Sequence, residues 1–147
     1  MNLFGMLGVS RSALTAERMR AEVVTANMAN AETTRTEEGG PYRRKLVVFR
    51  SQEPTSFPHI MNARLASSGA EEAGVKVADV VEDPAPPEMR FEPGHPDADA
   101  KGFVAYPNIE PVKEMADLMG AVRAYELNSS AVQATKQMIQ QAIDILR

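Results

Sequence analysis

Three small groups of side chains carry the functional groups that catalysis or ligation requires. His95, Asp97 and Asp99 place an imidazole and two carboxylates at alternate positions, a donor set that can converge on a cation. They lie in Pro93-Gly94-His95-Pro96-Asp97, however, where proline and glycine force a bend and aspartate closes turns with its own side chain. His59 is the only other histidine, and neither HExxH nor EF-hand spacing occurs, so a polar turn is expected and no metal. Ser129 and Lys136 could form a nucleophile–base pair, but seven residues of helix separate them by ~10 Å. On an apolar stripe they read better as polar residues that set register. Arg43, Arg44 and Lys45, with Arg35 and Arg50 nearby, form the one basic cluster. A net charge of −4 opposes phosphate or nucleic acid as its partner. An acidic neighbouring subunit is the better partner, and a charged strand face the plain alternative. With no cysteine in the chain, thiol catalysis, Cys-ligated zinc and disulfides are excluded. None of these groups reads as a catalytic or metal site.

The elements around these groups are set out by proline. All ten prolines fall between Pro41 and Pro111, leaving both ends free to form long helices. Leu7, Leu14, Ala21 and Met28 recur every seven residues, as do Val9, Ala16 and Val23. This spacing predicts a helix from about Leu3 to Ala29, about 27 residues and ~40 Å long, with Ser10 or Ser12 as a local cap. After Pro111, a residue suited to the first helical turn with Asn108 or Glu110 before it as cap, Leu118, Val122, Tyr125, Ser129, Val132, Lys136, Ile139, Ile143 and Leu146 alternate spacings of four and three. Ala124, Leu127, Ala131, Ala134, Met138 and Ile145 make a second seam on the same helix. A helix with two seams touches more than one neighbour. A hairpin of the two helices covers one stripe each and leaves a seam for another subunit, unless the whole apolar face is used within the chain.

The middle holds six of the eight aromatic residues and nine basic against fourteen acidic side chains over residues 31–110. Strands are expected at Tyr42–Phe49, Val75–Val81, around Met89 and Phe91, and at Phe103–Tyr106. Residues 51–74 read as a long loop with a helical turn near Ile60–Leu65. The fold class is therefore α+β. Long N- and C-terminal helices pair as a coiled-coil-like hairpin around a small β-rich centre, with boundaries at 1–34, 35–108 and 109–147. No run of about 18 apolar residues exists to span a membrane, and no basic-then-apolar secretory signal begins the chain.

Asn27-Met28-Ala29-Asn30-Ala31-Glu32-Thr33-Thr34 closes the first helix with small polar side chains that can bond exposed backbone and admit close approach. Together with Ser12-Ala13-Leu14-Thr15-Ala16-Glu17-Arg18, it closely resembles the N-terminal signature of bacterial flagellar rod, hook and hook-associated proteins. Gly39-Gly40-Pro41-Tyr42-Arg43-Arg44-Lys45, Gly74-Val75-Lys76-Val77, Phe91 through Asp99, Gly102-Phe103-Val104, Pro107-Asn108-Ile109, Arg123-Ala124-Tyr125-Glu126 and Lys136-Gln137-Met138 narrow the resemblance to the proximal-rod members, over almost the whole chain. The resemblance implies a structural subunit of the basal body, its helices forming the inner tube and its β domain lying outside, with no catalytic residue and no cofactor. It implies export by the flagellar type III apparatus without a cleaved signal peptide, location in the periplasmic rod, and partnership with itself and other rod proteins. The expected assembly surface comprises Leu7, Leu14, Asn27, Asn30, Val122, Tyr125, Val132, Lys136, Ile139 and Ile143. Another flagellar axial subunit, a soluble coiled-coil adaptor and a small enzyme with a metal at His95 are the competing readings.

Overall fold

The computed structural model describes residues 3–52 and 74–145. The expected loop at 51–74, its turn at Ile60–Leu65, and Leu146 lie wholly or largely outside the described residues. The element order is α1 (Leu3–Ala29), β1 (Lys45–Gln52), β2 (Gly74–Glu82), β3 (Glu88–Phe91), β4 (Phe103–Tyr106) and α2 (Pro111–Ile145). The α+β class and the two terminal helices are as expected. The first strand begins three residues later than Tyr42, because the chain there is still turning away from α1.

Two compact units divide the chain: Met1–Met19, Phe49–Ala78 and Ala121–Arg147 form one, and Arg20–Val48 with Asp79–Gly120 the other. In the first unit, the N-terminus of β2 is seated on α1. The Ser12 hydroxyl donates to the Val9 carbonyl at 2.7 Å and accepts from the Val75 amide at 3.1 Å. Ser12 is thus a mid-helix anchor and not a cap. Glycine is required at position 74, because a Cβ there would stand 2.7 Å from Ser12 Oγ.

In the second unit the chain leaves α1 through a polar turn. Asn30 Nδ2 donates to the Ala26 carbonyl at 2.9 Å and Thr33 Oγ1 donates to Asn30 Oδ1 at 3.2 Å, closing the helix end with side-chain bonds as its composition suggested. Gly39 and Gly40 follow with φ of 87° and 83°, left-handed values that favour glycine, and return the chain so that the Tyr42 amide meets the Thr33 carbonyl at 3.0 Å. β1 and β2 form one two-stranded sheet, β3 and β4 another. The second is antiparallel, with Phe91 opposite Phe103 and Met89 opposite Ala105. The alternation of the pleat puts Val104 and Tyr106 inside and leaves Met89, Phe91 and Phe103 exposed on the other face. Phe91 and Phe103 meet edge to face at 5.3 Å. The Glu110 carbonyl accepts the amides of Lys113 and Glu114, so Glu110 occupies the cap position before Pro111.

Among the described residues the buried apolar side chains are Ala16, Val24, Val104, Tyr106, Ile109 and Ala121. No leucine or phenylalanine is among them. Burying a large apolar side chain contributes about 1.5–3 kcal/mol, so these mostly small side chains make a thin core. No described helix is long and apolar enough to cross a membrane.

Candidate functional site: a buried junction and two exposed helix faces

The most enclosed polar group in the described chain is the Glu114 carboxylate, on the first turns of α2 and without solvent exposure. A carboxylate in that position must be paired, since an isolated buried charge is strongly unfavourable. Arg44 supplies the pair: its Nε donates to Glu114 Oε1 at 2.7 Å and its Nη2 lies 2.6 Å from the same oxygen. Asn27, on the last turns of α1 and also fully buried, donates to Glu114 Oε2 at 3.2 Å and to the Lys45 carbonyl at 2.9 Å. Its own oxygen accepts the Lys45 amide at 2.9 Å and the Tyr42 hydroxyl at 3.2 Å. Arg44 reaches further to Asp83 at 3.7 Å and Asp117 at 3.6 Å, and Arg20 on α1 meets Asp117 at 3.5 Å. One junction therefore ties the end of α1, the start of β1, the residue after β2 and the start of α2. Burial raises the Tyr42 pKa above its ordinary 10.0, and the charges of Glu114 and then Glu82 push it the same way.

The basic cluster is thus spent largely within the chain. Arg44 faces its own acids, Arg43 lies 4.0 Å from Glu82 and Arg35 3.8 Å from Asp97. The signal for Arg44 was in the sequence: Glu114, Leu118 and Ala121 keep four-then-three spacing, and an acid on such a stripe calls for a cation opposite it. Asp97 and Asp99 are occupied in turn chemistry. Asp97 Oδ2 accepts the Thr34 hydroxyl at 2.9 Å, and Asp99 Oδ1 accepts the amides of Lys101 and Phe103 at 2.8 and 2.9 Å. Among the described residues no three acidic or histidine side chains are grouped to hold a metal ion.

The helices divide their faces in an unexpected way. On α2 Glu114, Ala121 and Thr135 are buried and Asp117, Leu118, Ala124, Asn128, Ser129, Val132 and Ile139 half-buried, a stripe made mostly of small, polar and β-branched residues. Ala121 and Thr135 are only 1% and 2% exposed, and Thr135 returns its hydroxyl to the Ala131 carbonyl. The large side chains lie outside: Leu127 is 72% exposed, Ile143 60%, Met119 57%, and Val122, Tyr125 and Met138 more than 40%. On α1 Ala16, Val24 and Asn27 are buried, while Leu7, Val9, Leu14, Val23 and Asn30 are half-buried. Of the expected assembly residues, Val122, Tyr125, Lys136 and Ile143 are exposed, Val132 and Ile139 sit half-covered inside the chain, and Asn27 is wholly inside. The fully covered Ala121 and Thr135 were missed, because their side chains are small or polar and add little to an apolar pattern.

Long terminal helices with large apolar side chains outward, closed by an Asn/Thr turn and joined beside a β-rich centre, are the build of a flagellar axial subunit, and the comparisons agree. Residues 7–35 match the family described as "Flagella basal body rod protein", and residues 100–145 match "Flagellar basal body rod FlgEFG protein C-terminal". The flagellar basal-body rod protein FlgC of Bacillus subtilis is 44% identical over 99% of both chains. FlgC of Borreliella burgdorferi is 38% identical over 100% of this chain and 99% of its own, and FlgC of Salmonella typhimurium 37% over 95% and 94%. The chain belongs to the FlgC family of flagellar basal-body rod proteins, and is a structural subunit of the rod.

Proposed function

We propose that this rod subunit assembles helically, with copies of itself and with other rod proteins, by burying the outward faces of α1 and α2 between neighbours. The observation that carries the reading is the division of α2: its most buried positions are small or polar, while most of its large apolar side chains, Leu127 and Ile143 among them, are left in solvent. An isolated globular protein gains stability from the opposite choice, since burial scales with apolar area. Residues 1–34 and 109–147 then form the tube wall, residues 35–108 its outer decoration, and the tube transmits torque and encloses the export channel. Export through the flagellar type III apparatus without a cleaved signal, and residence in the periplasmic part of the basal body, follow from the same reading. Function is mechanical and no step of it requires catalysis. The contact residues are Leu7, Leu14, Val122, Tyr125, Lys136 and Ile143 with Leu127 and Met138. Val132, Ile139 and Asn30 support them, and Asn27 acts only through the backbone it holds.

Leu127→Asp is the test. The position is exposed in the free chain, so folding should change by less than about 0.5 kcal/mol, as for other surface substitutions. In the assembled rod the carboxylate would be buried and unpaired, which is strongly unfavourable. The expected result is a secreted, folded subunit absent from purified basal bodies in a non-motile cell, with Gln140→Asp incorporated normally. Normal incorporation of the Leu127 variant would remove this face from the assembly surface.

A further inference from the structure

We propose that the buried Asn27–Arg44–Glu114 junction is an orienting latch, which sets how the first turns of α2 meet the last turns of α1 and does not serve as the main source of stability. Three features of the geometry lead there. The contacts are directional: Arg44 presents Nε and Nη2 to one carboxylate oxygen at 2.7 and 2.6 Å, while Asn27 takes the other at 3.2 Å. Both oxygens of Glu114 are thereby claimed from different elements, so rotating α2 about its axis would break one contact or the other. Asn27 is itself held from the far side by the amide and carbonyl of Lys45, at 2.9 Å each, so it cannot follow such a rotation. The surrounding apolar contacts are less suited to this work. Val112, Met115 and Met119 on the same turns of α2 are 73%, 53% and 57% exposed, Leu118 is only half-buried, and apolar packing is non-directional. A buried ion pair is also a weak source of net stability, because desolvation offsets much of its attraction, and apolar residues of similar size often replace it without loss. Orientation is what such a replacement removes.

The consequence for assembly rests on the rod reading above: a helix in the wrong rotation would offer its exposed side chains to the wrong neighbour. Asn27, Arg44 and Glu114 are then positioning residues for assembly without touching a neighbour.

The chain has no cysteine, so Ala26→Cys and Met115→Cys, both exposed, can carry two spin labels uniquely. Pulsed electron–electron distance measurement on the full free chain should give one narrow distribution. Combined with Arg44→Met/Glu114→Leu, the melting temperature should stay within a few degrees or rise, while the distribution broadens at least twofold. Incorporation of the unlabelled double variant into basal bodies should fall below a tenth. Arg44→Lys retains the charge and loses the planar fork, and should also broaden the distribution. A wild-type distribution in the folded double variant or in Arg44→Lys would overturn the proposal. Loss of folding in the double variant would overturn it too, since the pair would then hold the fold itself. The distance is read on the free chain, so failure of the rod reading would appear only in the incorporation assay.

Discussion

At the scale of single residues, the junction gives Tyr42 a measurable signature. Its hydroxyl donates to Asn27 Oδ1 at 3.2 Å, and burial is the first cause of its raised pKa, followed by Glu114 and Glu82. A tyrosine whose folded pKa lies above its unfolded value favours the protonated phenol in the folded chain. The stability linked to it is fully present below the ordinary value of 10.0 and is lost as pH rises through the higher folded value. Tyr42→Phe removes both the bond and the titration. We expect the variant to be less stable at pH 7 by about 1 kcal/mol, the usual net worth of one hydrogen bond. The gap should stay constant to about pH 10 and narrow above it. Urea unfolding of both proteins from pH 7 to 11 measures this, and a gap that widens above pH 10 would contradict the assigned environment.

Between elements, the seat of β2 on α1 is the sharpest contact. Ser12 Oγ accepts the Val75 amide, and the absent Cβ of Gly74 makes room for it. Ser12→Ala should cost about 1–2 kcal/mol by leaving a part-buried amide without its acceptor. Gly74→Ala should cost more, because the new methyl meets Ser12 Oγ at 2.7 Å and Gln52 Oε1 at 3.2 Å. The double variant relieves the closest clash, so the two costs should sum to more than the double loses, by about 0.5 kcal/mol or more in a double-mutant cycle. Strict additivity would place the two residues out of contact. These elements were legible to unequal degrees. Helix α1 was bounded at Leu3 and Ala29 from its seven-residue repeat, and β4 at Phe103–Tyr106 from its aromatic and β-branched content. The start of β1 was placed three residues early because the Tyr42 amide bonds the Thr33 carbonyl in the turn after α1, which no local pattern records. The inner stripe of α2 was less legible for a physical reason. Periodicity finds large apolar side chains, such as Val122, Tyr125 and Ile143, whereas the most covered positions of the helix include Ala121, Asn128 and Thr135, which add little to an apolar pattern. Arg44 was legible as a basic residue, but its partner lay seventy residues away on another element.

For the whole molecule, charge and apolarity are distributed so that they oppose each other on assembly. Residues 1–30 carry three basic and two acidic side chains, and residues 111–147 four of each, so the helices that are to meet are nearly neutral. Residues 31–110 carry nine basic against fourteen acidic side chains, a net of 9 − 14 = −5. On the assembly proposed above, neighbouring copies would join apolar helices and bring like-charged centres together. The apolar contribution depends little on simple salt, while the repulsion is screened: the Debye length falls from about 30 Å at 0.01 M to about 8 Å at 0.15 M ionic strength. Self-association of the purified chain should accordingly strengthen severalfold as sodium chloride rises from about 0.01 to 0.3 M, a range spanning that screening. Sulfate should act more strongly than chloride at equal ionic strength, because it also reinforces apolar burial. Leu127→Asp should blunt the response to both salts, since it removes the contact that screening exposes. Sedimentation velocity across the salt series separates this from the alternative physics. If cross-subunit ion pairs held the copies together, rising salt would dissolve the assemblies, and the exposed apolar faces of α2 would not be the surface that joins them.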